Sequence, residues 1–229
     1  VENKGQWAMI FNESVKNDSN PVDKTEKFMF DGERLIQHII KQRYFEEEIS
    51  NEVNLSYSDN QVTVTTDYLT LVYTLNSEGY ASQCVYSLSS QNRIYQFSYS
   101  AEGYLTGIVE NIDNTEYSST SLTYENGDIT SISSKMNGLE NKFIYEPGEE
   151  SSTYHLPCLG LLEIHPLTFH IEALYAGLLG KDPRHFTIRS CPAGSNDEKT
   201  IYSYEFDKKG NPSRMICQTT YAGGQASYY

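Results

Sequence analysis

The chain has 229 residues, with 17 Lys and Arg against 31 Asp and Glu, a formal net charge of −14. That charge repels phosphate backbones, which proteins bind by neutralising them with basic side chains, so no nucleic-acid partner is expected. Ser (25), Thr (17) and Tyr (19) far outnumber Ala (8), the best helix former, which excludes an all-helical domain, and no run approaches the roughly 18 apolar residues of a membrane-spanning helix.

Residues 1–26, rich in Asn, Asp, Lys and Ser, read as a loose or edge segment ahead of a single domain over 27–229. Val1 is not a Met and no basic, apolar leader follows it, so a signal segment, if the protein has one, and any lipid tether are expected outside this sequence.

From residue 28 the chain repeats one unit: an aromatic-rich strand, a short polar turn closing on Gly, and a second apolar strand. Phe28-Met-Phe30 leads through Asp31-Gly32 to Arg34-Leu35-Ile36, and Leu55-Ser-Tyr57 leads through Ser58-Asp59-Asn60 to Val62-Thr-Val64, with Asn60 in the place of Gly. Asn is the residue that best tolerates positive φ after Gly, so the spacing predicts a left-handed Asn60. Three copies then fall at a fixed 24-residue period, closing on Gly79, Gly103 and Gly127. Tyr202-Ser-Tyr204-Glu-Phe206 into Asp207-Lys-Lys-Gly210 is a last copy.

Within each first arm the apolar residues alternate, as in Tyr95, Phe97 and Tyr99, and so share one strand face. After the turn the strongest apolar positions lie three apart, Leu105 with Ile108 and Ile129 with Ile132, which calls for a bulge or for cover on both faces. Between residues 44 and 134 stand thirteen acids and a single base, Arg93, a local charge of −12. Glu46-Glu47-Glu48 reads as a solvated strand end that discourages edge pairing.

Residues 155–192 break the pattern. Leu167, Ile171, Leu174, Tyr175 and Leu178 fall on one helical stripe, Pro166 suits its first turn, and Gly180-Lys181 with Pro183 its stop. This predicts one helix near 166–179 in an insertion that covers the open face of a curved antiparallel sheet, since such a face must be buried against something.

The Tyr-rich arms with polar turn, Gly and Leu-x-x-Ile resemble tyrosine-aspartate (YD) hairpin repeats, with Phe206-Asp207 and Phe30-Asp31 nearest to that dipeptide. Together with Ala173-Leu-Tyr-Ala-Gly-Leu-Leu-Gly180-Lys181 and the 202–216 hairpin, the chain over about 27–229 is similar to a Bacteroidetes family of secreted or lipoprotein domains of unknown function with a porin-like fold. The resemblance implies a partly open barrel and an extracytoplasmic address, and brings no catalytic residues. The fold class expected is therefore mainly β: a curved meander of hairpin repeats, a partly open barrel, with one helix-bearing insertion.

Chemistry is sparse. His155 and Cys158 with Cys191 and either His165 or His170 are the one cluster of metal-ligand types near one another in sequence, but their spacing matches no zinc module. Cys158 with His170 is a conceivable nucleophile pair, though a free Cys is more often a small buried hydrophobe. Cys158 and Cys191 bracket the insertion and could close a loop of about 30 residues, with free thiols the default. Gly177-Leu-Leu-Gly180-Lys181 is too short for a phosphate loop and ends a helix. The tyrosines could stack on sugars, yet their recurrence at the repeat period favours sheet packing.

No catalytic, cofactor-binding or metal residue is therefore assigned, and no cofactor. The function expected is a non-enzymatic extracytoplasmic binding or scaffold protein of the cell envelope, not membrane-spanning, with a glycan or peptide ligand. The alternative is a glycan-directed hydrolase using carboxylates in the concave face. Strand 118–124 bears on a pore reading: Ser119, Ser121 and Thr123 alternate with Ser118, Thr120, Leu122 and Tyr124, and neither set is a lipid face.

Overall fold

A computed structural model describes residues 5–15, 22–44, 47–88, 91–152, 165–195, 197–208, 210, 212–221 and 224–228. Sixteen strands follow one another in sequence order: β1 Gln6–Val15, β2 Val22–Asp31, β3 Arg34–Tyr44, β4 Glu47–Ser58, β5 Gln61–Thr65, β6 Thr70–Leu75, β7 Ala81–Leu88, β8 Gln91–Tyr99, β9 Leu105–Ile112, β10 Thr115–Glu125, β11 Asp128–Met136, β12 Leu139–Ser151, β13 His185–Pro192, β14 Lys199–Phe206, β15 Pro212–Tyr221 and β16 Gly224–Tyr228. Each pairs antiparallel with its neighbour, making one meander. Strands β1 and β16 come within 8 Å between Cα atoms, but no ladder joins them among the described residues, so the barrel is not closed.

The three-apart core positions have one cause. A register shift occurs just before the turn in every copy that closes on Gly, at Met29/Phe30, Thr74/Leu75, Ser98/Tyr99, Thr123/Tyr124 and Glu205/Phe206. The extra residue turns the next side chain inward, so Leu105 and Ile108, Ile129 and Ile132, Ala81 and Cys84, and Leu35 and His38 are all buried. The β4–β5 copy has no such shift, and its Val62 and Val64, two apart, are both buried. Asn60 does not take positive φ; that conformation falls instead on Asp113, Asn114, Asn126 and Asn137.

The insertion enters between β12 and β13. Its expected single helix over 166–179 is a 3₁₀ turn, Leu167–Phe169, then a short α1, Ile171–Tyr175, with turns to residue 179. The break at His170 rotates the buried face. Leu167, Ala173, Tyr175, Leu178 and Leu179 are buried in one cluster with the inward residues of the sheet, while Ile171 and Leu174 are only half-buried against it. The insertion nonetheless fills the concavity as a cover should.

After α1 the chain runs as a strap across the hairpin turns. Ala81 N–H donates to Leu178 O (2.7 Å), Lys181 N–H to Gly103 O (2.9 Å) and Arg184 N–H to Gly127 O (3.1 Å). Partners three residues apart on the strap meet partners 22 and then 24 residues apart in the chain, each step one hairpin along the sheet. One repeat is two strands, about 9.6 Å across, and three extended residues span about 10 Å, so strap and repeat keep step. Gly180 has φ +90°, and a Cβ there would lie 2.6 Å from Gly103 O.

Candidate functional site

Of the five histidines, four lie within the described residues, and all four sit where residues 165–185 meet the sheet. Three are paired with carboxylates. His38 occupies the second core position of its repeat, equivalent to Ile108 and Ile132, and is fully buried. Its ring stacks on Phe28 at 4.0 Å, with Tyr175 on Phe28's other stacking contact at 3.9 Å. Its Nδ1 is 2.7 Å from Glu172 Oε1 of α1. Its Nε2 is 3.4 Å from Glu26, an ion-pair distance without hydrogen-bond geometry, and Lys24 closes the far side of Glu26 at 3.0 Å. Burial disfavours charge on His38, but the two carboxylates outweigh it and raise its pKa above the ordinary 6.5. Burial likewise opposes ionisation of Glu26, yet His38 and Lys24 hold it below the carboxylate norm.

His170 is different: it is fully buried, 2.7 Å through Nδ1 from Tyr73 Oη, and perpendicular to the rings of Tyr95 and Phe97. Desolvation pushes its pKa down to about 3, so it is neutral. Cys84, beside Tyr73, is pushed up to about 12 by burial, which makes its thiol unreactive.

The third cluster reaches the surface. Glu110, on the inward face of β9, is completely buried and takes four hydrogen bonds: from Arg93 Nη1 (3.1 Å), Tyr95 Oη (3.2 Å), Ser118 Oγ (2.8 Å) and His165 Nε2 (2.6 Å). Burial raises its pKa, but the bonds from His165 and Ser118 outweigh that and hold it low. Thr120 and Ser134 hydroxyls donate to the His165 carbonyl, both at 3.2 Å, fixing the entry of the insertion. The side chains of Arg93 and His165 are 24% and 27% exposed. Tyr117 lies under the guanidinium at 5.9 Å and edge-on to His165, whose other flank meets Phe169 at 5.6 Å, itself 48% exposed. A fourth tie holds the strap, where Asp128 of β11 accepts from both the backbone N–H and the Nδ1 of His185 at 2.8 Å.

These placements redistribute the residues named from sequence. His165 and His170 go to different sheet partners, Glu110 and Tyr73, and do not converge on Cys191, a free thiol of β13 opposite Ile144. His155 and Cys158 lie outside the described residues, and with them the metal cluster, the Cys158–His170 pair and the Cys158–Cys191 pairing. Among the described residues no three His, Cys, Asp or Glu side chains are grouped to hold a metal ion. Gly180 ends the insertion and meets Gly103 rather than a phosphate. The repeat tyrosines pack: Tyr80 on Tyr99 and over Gly103, Tyr104 on Tyr124 and over Gly127. Glu47 and Glu48 are exposed on β4.

Glu110 was not singled out from sequence. The signal was present, since an acid two residues after Ile108 falls on the inward side of a strand, where an unpaired charge is not tolerated.

The family model described as a domain of unknown function (DUF4595) with porin-like fold matches residues 28–214. A porin-like protein from Bacteroides uniformis superposes with a TM-score of 0.87 at 26% identity, covering 96% of this chain and 92% of that one. A porin-like protein from Bacteroides vulgatus shares the fold with a TM-score of 0.59 at 11% identity, over 96% and 95% of the two chains. No curated protein matches this sequence.

Proposed function

This chain belongs to the DUF4595 family, domains of unknown function with a porin-like fold, and on that premise we propose that it is a non-enzymatic extracytoplasmic binding or scaffold domain of the cell envelope. The observation that carries the reading is the use made of the insertion's ionisable groups. His165, His170 and Glu172 are each committed to a sheet partner, and the concavity between them is filled with apolar side chains. A glycan-directed hydrolase needs two carboxyls facing an open cleft, one of them free to give up a proton. Glu110 instead accepts four hydrogen bonds and is held ionised, the state of an anchoring charge rather than of an acid. Water solubility belongs to the same reading. The outward residues of β10, Ser119, Ser121 and Thr123, are polar, and no described helix is long and apolar enough to cross a membrane.

The test is to incubate the chain with envelope polysaccharides and peptide digests, following co-sedimentation for binding and mass spectrometry for cleavage. Retention of a glycan or peptide without new products is expected. Cleavage that disappears in Glu110→Gln would overturn the reading in favour of a hydrolase.

A further inference from the structure

The sequence holds two Asn-Gly dipeptides, Asn126-Gly127 and Asn137-Gly138. Each is the two-residue loop of a hairpin, the first between Glu125 and Asp128 and the second between Met136 and Leu139. Both loop residues have positive φ, +54° and +89° in the first and +51° and +78° in the second, the signature of a type I′ turn. Dipeptide and turn are thus alike, but their surroundings are not. Gly127 O accepts the Arg184 N–H of the strap at 3.1 Å, and a Cβ on Gly127 would lie 2.7 Å from Tyr104 Oη and 2.8 Å from Arg184 Cδ. The next residue, Asp128, takes both bonds from His185. Gly138 has nothing within 4 Å of where a Cβ would stand, and residues 135–142 around it are all exposed.

We infer that Asn137 is a site of spontaneous covalent modification, deamidation to aspartate and isoaspartate, and that the strap holds the same dipeptide at Asn126 against it. With no Cβ on the following residue, the Gly nitrogen is uncrowded and can attack the Asn side-chain amide. That nitrogen gives up its proton and bonds to Asn Cγ, the Cγ–Nδ2 bond breaks, and ammonia leaves with the proton. Water then opens the five-membered imide. Opening at Cγ yields aspartate; opening at the backbone carbonyl yields isoaspartate, whose main chain runs through Cβ and Cγ. Nothing is oxidised or reduced, and water is the one co-reactant. The imide needs a backbone angle that a type I′ turn does not have, so the turn must open first, and the rate follows the population of the opened turn. A protruding tip such as 135–142 opens by fraying alone. Opening at Asn126 must also break the bond from Arg184 and disturb the packing on Tyr104, and one hydrogen bond kept by the closed turn lowers the open population about fivefold. The shielded position is also the one whose conversion would pull Gly127 O away from the strap.

The experiment ages the intact chain in mildly alkaline buffer at physiological temperature, folded in one series and unfolded in urea in the other. At intervals the chain is digested, and chromatography with mass spectrometry separates the Asn, Asp and isoaspartyl forms of the peptides carrying residues 126 and 137. In the folded chain, Asn137 should convert about fivefold faster than Asn126 or more. In urea the two should convert at similar rates, because both are followed by Gly and neither turn persists. Equal rates in the folded chain, faster conversion at Asn126, or no conversion at Asn137 over a time in which the unfolded chain converts would each overturn the inference. A gap of the same size in urea would trace the difference to neighbouring residues in the sequence and overturn it as well.

Discussion

Acid should destabilise this protein through His170 well before its carboxylates titrate. A free imidazole takes up its proton near pH 6.5, but His170 in the folded chain stays neutral until about pH 3. Between those values the unfolded state binds one more proton than the native state, so stability falls as pH falls, by up to about 1.4 kcal/mol per pH unit. Integrated from pH 6.5 to 4.5, the loss is about 2 kcal/mol. The window is clean with respect to the other shifted groups. Glu26 and Glu110, held below 4.5, contribute stability that is lost only as pH drops beneath that value. His38, raised above 6.5, contributes stability that is intact below 6.5 and fades as pH rises through its folded pKa. Urea unfolding at half-unit steps from pH 4.5 to 6.5 gives the slope directly. In His170→Gln, whose amide can still meet the Tyr73 hydroxyl, the slope should be smaller by about one proton. Equal slopes in the two proteins would refute the assignment of a buried, neutral His170.

Gly180→Ala should lower the thermal midpoint, since an L side chain at φ +90° costs about 1–3 kcal/mol before any contact with Gly103 O is counted, whereas Gly107→Ala, whose Cβ would meet Ser98 and Thr120 at an ordinary 3.7 Å, should leave the midpoint within error. Leu167→Ala, at a completely buried position, should cost about 2–5 kcal/mol by chemical denaturation and Leu174→Ala clearly less; the reverse order would mean that a continuous helical stripe, not the broken helix, sets the packing.

The meander was legible in the sequence because a hairpin declares itself locally, through alternation, a polar turn and a Gly at a fixed period. Even the bulge left a trace, in the step of three between Leu105 and Ile108. The insertion was legible in place and purpose but not in its rotation. Leu167, Ile171, Leu174 and Leu178 fit an ideal helix as well as any four residues could, yet the helix breaks at His170, whose ring meets Tyr73 in the core, and Ala173 and Tyr175 take the buried side. The Glu110 cluster joins β8, β9, β10 and a residue 55 positions further on. Such pairing depends on which strands are neighbours and how deep the insertion reaches, and no local pattern records either.

The strap that laces residues 178–184 to the turns at 79–81, 103 and 127 limits how such a fold can grow. Meanders lengthen by duplicating a hairpin, and in most of this sheet an added unit would meet only its neighbours. Inside the laced span the same duplication would displace every later turn by two strands and leave the strap about three residues short, so the two segments can change length only together. Duplication is thus unconstrained toward the chain ends and coupled in the middle, which sets the three repeats of strict 24-residue period apart as the part of the architecture whose size is fixed.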